Sequence, residues 1–204
     1  MSRYTGPVTK VSRRLGVALF ANEGSKLKSY QKKNYKPGDH GQKRFGKSSE
    51  YKRQLQEKQK AKALFGINEK QSRNYYKLAS KSAEITGIRY LQLLETRLDN
   101  VIFRAGLANS RPQARQIVSH GLVKLNGKKV KVPSIQVKVG DKFEIRDKSK
   151  ESKLFEETKK AKVKNPKWLS SDPKSLNGEI LAIPDFDDVE KIIDHQLITE
   201  FYSK

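Results

Sequence analysis

The chain has 204 residues, with 44 Lys and Arg against 22 Asp and Glu, a formal charge of +22, and no cysteine. Such an excess repels itself and is drawn to polyanions. The absence of thiols excludes a disulfide framework or a cysteine zinc site, no run approaches the roughly 18 apolar residues of a membrane helix, and the N-terminus lacks the apolar core of a secretory signal. Hydrophobic residues make up 35%, below the roughly 45–50% of ordinary globular chains, so part of the chain is expected to order only against a partner.

Residues 1–50 hold twelve Lys or Arg and three acids, Glu23, Asp39 and Glu50. A turn of helix is expected over Val11–Gly16, with Phe20 as its anchor. Elsewhere in this stretch Gly, Pro, Ser, Lys and Tyr alternate without a lasting period. Such a segment cannot bury enough apolar area to offset its ordering entropy. Tyr4, Tyr30, Tyr35 and Phe45, set among lysines, suit stacking on bases or sugars, so the expectation is an arm that orders on RNA rather than a purely solvated one. Gly41, Gly46, Lys47 and Ser48 match the bare phosphate-loop spacing. The preceding KPGDH cannot be a buried strand, however, and nothing resembling a Walker B strand follows.

Glu50 to Phe65 reads as a lysine-rich, weakly amphipathic helix closed by Gly66, and Asn68 with Gln71 forms a capping box for a second helix through Tyr75, Tyr76 and Ala79. Core packing is expected for at least one of those rings. A third helix opens at Gly87 and carries Leu91, Leu94, Leu98, Val101 and Ala105 as one apolar stripe up to Gly106.

Chemistry concentrates between Arg97 and Ile145. Ser110 is a good N-cap, Pro112 sits in the first turn, and Gln113 at N3 can reach back to the cap residue's own N–H. Ala114, Ile117 and Val118 share one helix face, and Arg111 and Arg115 fall on another. A helix N-terminus with free N–H groups and two guanidinium forks beside it suits a phosphate. His120-Gly121 stops the helix, and Asn126-Gly127 between two short alternating runs signals a hairpin bearing Lys124, Lys128 and Lys129. Strands follow at Gln136–Val139 and Lys142–Arg146, with Phe143 and Ile145 facing inward.

Lys148–Lys164 reads as a charged helix anchored by Leu154 and Phe155, and Trp168-Leu169, between Pro166 and Pro173, as a packing point. Residues 175–204 reverse the charge, with seven acids and two lysines. Asp187 or Asp188 is expected to cap a final helix using Val189, Ile192, Ile193 and Leu197, packed on the chain's own helical part or on a basic neighbour. His40, His120 and His195 lie far apart and frame no catalytic or metal site.

The run SRPQARQIVSHGLVKLNGKKV resembles the core of the RNA-binding module named for small-subunit ribosomal protein S-four, and LLETRLDNVIFRAGLA resembles the helix before it. The likeness extends to MSRYTGPVTKVSRRLG, PGDHGQKR, YKRQLQEKQKAKALFGINEKQSRNYYKLA and HQLITEFYSK, in the order of the bacterial full-length family. It implies an α+β fold: a basic extended arm (1–45), an all-helical domain (46–93), an inserted module of helices on a mostly antiparallel sheet (94–158), and a C-terminal segment (159–204) packing back on the helical domain. It further implies a cytoplasmic, ribosomal, non-enzymatic protein without cofactors. Such a protein binds small-subunit rRNA early in assembly and lies near the channel through which mRNA enters. It contributes to translational accuracy beside proteins of the S-five and S-three families. Many relatives hold zinc with four cysteines, but Ala21 to Lys36 has none, so no metal is expected.

The expected RNA contacts on the module are Ser110, Arg111, Gln113, Arg115, Gln116, His120, Lys124, Asn126 and Lys128. Outside it they are Arg3, Tyr4, Arg13, Arg14, Lys52, Arg53 and Arg73, with Lys43, Arg44 and Lys47 toward the mRNA. Two alternatives are weighed. The module also occurs on pseudouridine synthases and some tRNA synthetases, but those need a large catalytic domain. Ser110–Gly121 could also serve as a DNA recognition helix.

Overall fold

A computed structural model describes residues 4, 6–20, 24–42, 48–160 and 165–204. The chain divides into two compact units. The first comprises the described residues of Met1–Tyr90 with Glu190–Lys204, and the second is Leu91–Val189.

The first unit is helical. Helix α1 spans Val8–Leu15, beyond the single expected turn, and Gly16 closes it in the left-handed region (φ 74°). A further helix that the sequence pattern does not announce, α2, spans Gly24–Lys32. Long-range contacts explain the added order. The Arg13 Nε donates to the Tyr35 carbonyl at 2.9 Å, and its guanidinium lies 4.8 Å from the Tyr35 ring centre. Helix α3, Glu50–Phe65, starts at Ser49 and stops at Gly66. Helix α4, Glu69–Ala79, begins with the expected capping box: Asn68 Oδ1 accepts from the Gln71 N–H at 2.8 Å, and Gln71 Oε1 accepts from the Asn68 N–H at 3.2 Å. Tyr76 stacks 4.7 Å from Tyr202, the packing role expected of one ring of the pair.

The last helix of this unit departs from the sequence reading. It spans His195–Tyr202 and is capped by Asp194, whose carboxylate accepts from the N–H groups of Gln196 and Leu197. Asp187 and Asp188 lie in a separate 3-10 turn, Phe186–Asp188, which Asp185 caps first. Val189 and Ile193 are buried outside any helix. This C-terminal helix lies along α3: Gln54 Nε2 donates to Glu200 Oε2 at 3.0 Å, and Lys58 Nζ sits 4.1 Å from the Phe201 ring centre.

The apolar stripe expected as one helix from Gly87 to Gly106 is two helices, α5 (Thr86–Glu95) and α6 (Leu98–Arg104). The break is at Arg97, which is extended (φ −67°, ψ 138°). There the N–H groups of Leu98 and Asp99 donate across to the carbonyls of Ile135 (2.8 Å) and Pro133 (3.1 Å). The same contact reduces the expected strand at Gln136–Val139 to a single bridge, Arg97 to Gln136.

In the second unit, α7 (Arg111–Ser119) leads into β1 (Val123–Leu125), β2 (Lys128–Val130) and β3 (Lys142–Ile145). The expected helix over Lys148–Lys164 is broken into α8 (Asp147–Lys150), a 3-10 turn (Lys153–Phe155) capped by Ser152, and α9 (Glu156–Lys160), and the turn buries Phe155. Strands β4 (Leu169–Asp172) and β5 (Asn177–Ile180) then join the same sheet, in the order β2-β1-β3-β5-β4 with every pairing antiparallel. Its covered face meets α6 and α7 over Leu98, Ile102, Ile117, Val118, Val123, Phe143, Ile145 and Trp168. The fold class is α+β. Among the described residues no helix is long and apolar enough to cross a membrane.

Candidate nucleic-acid interface

The N-terminal end of α7 is organised by short-range chemistry. Ser110 is extended (φ −152°), and its Oγ accepts from the Gln113 N–H at 3.4 Å. Gln113 Oε1 does not return to the Ser110 N–H. It takes the N–H of Asn109, one residue earlier, at 2.7 Å, which ties the preceding loop to the helix. The side chain spans the extended cap because Asn109 presents its N–H to the first turn, so the expected reciprocal box is displaced by one residue. The helix closes as expected, with Gly121 left-handed (φ 68°) after His120.

Arg111 and Arg115 stand on a polar network that the sequence pattern conceals. Arg97 donates from Nε and Nη2 to the two oxygens of Asp99, at 3.0 and 2.7 Å, with only 1% of its side chain exposed. Arg115 Nη1 lies 3.9 Å from the same carboxylate. Arg111 Nε donates to Asn100 Oδ1 at 2.8 Å, and its guanidinium covers Phe103 at 4.5 Å. Asn100 in turn donates to the Glu95 carbonyl at 3.0 Å, and the buried Glu95 carboxylate takes a bidentate pair from Arg104 at 2.9 and 2.6 Å. Arg104 thus pairs with Glu95 and Arg97 with Asp99, Arg115 lies beside Asp99, and Arg111 rests on Asn100. Arg111 and Arg115 are thereby held in place at the start of α7. Sequence reasoning missed these partners; the three charged residues Glu95, Arg97 and Asp99, close together beside an apolar stripe that keeps its period, were a weak signal at most.

The hairpin turns on Asn126 (φ 49°) and Gly127 (φ 76°), both left-handed, as a two-residue type I′ loop requires. Asn126 is a pin within the module: its Nδ2 donates to Asp141 at 2.8 Å, and its Oδ1 accepts from the Lys142 N–H at 2.9 Å. Lys124 is likewise engaged, 3.0 Å from Asp147 and 3.2 Å from Glu144. Hydrogen bonds to Asp147 and then Glu144 hold its ammonium above the usual lysine range. Lys150 and Lys124 draw the Asp147 carboxyl down to about 2. With Lys142 set 3.8 Å from Glu179, the open face of the sheet alternates in charge. Gln116, His120 and Lys128 are exposed.

In the first unit, Arg13 is engaged with the Tyr35 carbonyl, whereas Arg14, Lys52, Arg53 and Arg73 are exposed, as is Tyr4, whose hydroxyl donates to the Pro7 carbonyl at 3.4 Å. Arg3, Lys43, Arg44, Lys47 and Phe45 lie outside the described residues. Among the described residues no group of three or more His, Cys, Asp or Glu is placed to hold a metal ion.

The family model "Ribosomal protein S4/S9 N-terminal domain" matches residues 3–95, and "S4 domain" matches residues 96–143, from the Arg97 break through most of the sheet's first three strands. The curated protein "Small ribosomal subunit protein uS4" of Persephonella marina is 49% identical over 100% of both chains. Its namesake in Chlorobium limicola is 46% identical over 100% of both, and that of Lactobacillus gasseri is 44% identical over 100% of this chain and 99% of its own. The chain belongs to the uS4 family. Membership in uS4 makes it a structural component of the small ribosomal subunit and not an enzyme. The α+β fold and the RNA-binding type of module expected from the sequence agree with it.

Proposed function

We propose that this uS4-family chain binds small-subunit rRNA directly, early in assembly of the subunit. The observation that supports this reading is the α7 N-terminus, where Arg111 and Arg115 are held in place by Asn100 and Asp99 beside the Ser110 cap. Such a surface grips phosphate and reads the shape of a folded junction more than its sequence. Ser110, Gln113, Gln116, His120 and Lys128 complete the contact in the second unit. Lys124 and Asn126 hold the hairpin in position beside it.

Tyr4, Arg14, Lys52, Arg53 and Arg73 are the contacts proposed in the first unit, with Arg3 beside Tyr4 in sequence and Arg13 ordering the arm. Lys43, Arg44 and Lys47 are assigned to the channel through which mRNA enters, where the protein would contribute to decoding accuracy beside S-five- and S-three-family neighbours. The test is binding to small-subunit rRNA with large-subunit rRNA and duplex DNA as competitors near physiological salt. Competition by small-subunit rRNA alone is the expected result. Equal competition by all three would reduce the affinity to bulk charge and overturn the reading. Arg111→Ala and Arg115→Ala should each lower the salt slope by roughly 0.7–0.9.

A further inference from the structure

A glycine after an asparagine leaves the pair open to spontaneous deamidation, because no Cβ shields the glycine nitrogen from the preceding side-chain amide. The chain holds two such pairs, Asn126-Gly127 in the β1–β2 turn and Asn177-Gly178 in β5. The fold treats them differently. Gly178 lies inside the ladder, opposite Phe143 on one side and Ser171 on the other, so its backbone is held on both edges. Gly127 stands at the exposed tip of the hairpin, and a Cβ added there would meet nothing within 4 Å. Its N–H enters no hydrogen bond among the described residues. Restraint at this pair therefore falls on the asparagine.

Asn126 is tied to the start of β3 by three bonds. Its N–H donates to the Lys142 carbonyl at 2.7 Å, its Oδ1 accepts from the Lys142 N–H at 2.9 Å, and its Nδ2 donates to Asp141 Oδ1 at 2.8 Å. The Asp141 carboxylate is itself fixed, since its other oxygen accepts from the Lys138 N–H at 2.8 Å. Both side-chain bonds aim the amide at β3, and ring closure requires it to swing onto the Gly127 nitrogen instead. An aspartate in its place could still accept from Lys142 but could not donate to Asp141. Two carboxylates would then stand where one donated bond had been.

We propose that Asn126 is a deamidation site held closed by Asp141 and Lys142, and that its reaction opens the hairpin irreversibly. When the side chain swings free, the Gly127 nitrogen loses its proton to water and bonds to Asn126 Cγ. The bond from Cγ to the side-chain nitrogen breaks, and ammonia leaves. Water then opens the cyclic imide. Cleavage between Cγ and the Gly127 nitrogen gives aspartate, and cleavage at the backbone carbonyl gives isoaspartate. The first product faces Asp141 with like charge. The second adds a methylene to a two-residue turn that sets Leu125 opposite Lys128. Neither can restore the native bonds to β3. The inference does not depend on the RNA reading above.

The experiment ages the full-length natural chain and Asp141→Ala in water labelled with heavy oxygen, at mildly alkaline pH, folded and in denaturant. Peptide mass spectrometry reads Asn126 and Asn177 in the same sample. In the natural chain, folding should slow Asn126 by at least about tenfold. Asp141→Ala should recover most of that difference at Asn126 and leave Asn177 protected. Equal rates for folded and denatured natural chain, or an unchanged rate in Asp141→Ala, would overturn the closure. Acceleration of Asn177 to the same degree would also overturn it, because protection would then belong to the whole fold and not to the bonds of Asn126. The product is tested separately with Asn126→Asp. Its second unit, followed by the buried Trp168, should melt at least about 4 °C lower near neutrality. That gap should narrow as acid neutralises the facing carboxylates. Melting at the natural temperature would show that the hairpin recloses on aspartate and would refute irreversible opening.

Discussion

Asp99→Ala should be among the most damaging single changes in the second unit. The carboxylate accepts from Arg97 Nε and Nη2, takes the Asn100 N–H at 3.0 Å and faces Arg115. Arg97 is 1% exposed at its side chain and Asp99 7%, so truncation leaves a buried guanidinium without its paired carboxylate. Breaking a buried pair from one side costs about 3–5 kcal/mol. For a unit of this size, each kcal/mol shifts the midpoint by roughly 4–8 °C, so melting should fall by at least about 12 °C.

Trp168 is the chain's only tryptophan and is buried in this unit, so its fluorescence isolates the relevant transition from that of the helical unit. The double variant Arg97→Met/Asp99→Ala should recover more than half of the loss, because the cost lies in the stranded charge and not in the missing attraction. A fall of less than about 4 °C for Asp99→Ala, or no recovery in the double variant, would refute the view that this pair is sealed from solvent.

Three further outcomes follow from the geometry. Gly178→Ala would place a Cβ 2.5 Å from both the Phe143 ring and the Ser170 carbonyl; it should destabilise the second unit by about 1–3 kcal/mol in denaturant titration, and a neutral result would mean the β3–β5–β4 spacing is slack. Gly127→Val forces a branched side chain to φ 76° in the hairpin; amide exchange in β1 and β2 should accelerate while α3 and α4 are unaffected, and equal protection would remove the turn from the list of register-setting elements. Burial raises the Glu69 carboxyl, but hydrogen bonds and charge from Lys62 and Lys58 outweigh it and leave the group below its ordinary 4.5. Its contribution is therefore complete above that value and lost as pH falls through the lower folded one. The stability gap between the natural chain and Glu69→Gln, read by helical circular dichroism, should be constant near neutrality and close on acidification below 4.5. A gap that persists into strong acid would contradict the assignment.

Where sequence and structure agree, the decisive atoms lie within a few residues of one another. The Asn68 capping box, the Ser110 cap, the Gly66 and Gly121 stops and the Asn126-Gly127 hairpin all satisfy their backbone groups locally, and so they were legible without any knowledge of packing. Even among these, Gln113 chose Asn109 over Ser110, because two neighbouring N–H groups compete for one amide oxygen and only the loop's path decides between them. The candidate interface was legible in part. Arg111 and Arg115 announced themselves by their place at a helix start, but the residues that aim them did not.

Distant chain made the remaining decisions. The apolar stripe from Leu91 to Ala105 is periodic enough for one helix, and nothing local breaks it at Arg97. The break exists because the Ile135 and Pro133 carbonyls arrive to accept the N–H groups that a continuous helix would have used, and because Asp99 compensates an arginine that the break buries. Likewise Trp168-Leu169 reads only as a packing point until β4 and β5 extend the sheet beside β3. By itself the sequence determined helix ends, the hairpin, the polyanion preference and the family likeness, since each depends on composition or short-range bonds. Tertiary structure decided where the long helix divides and which cations are engaged within the chain. Those outcomes depend on which groups lose water together, and that is set only when segments far apart in sequence meet.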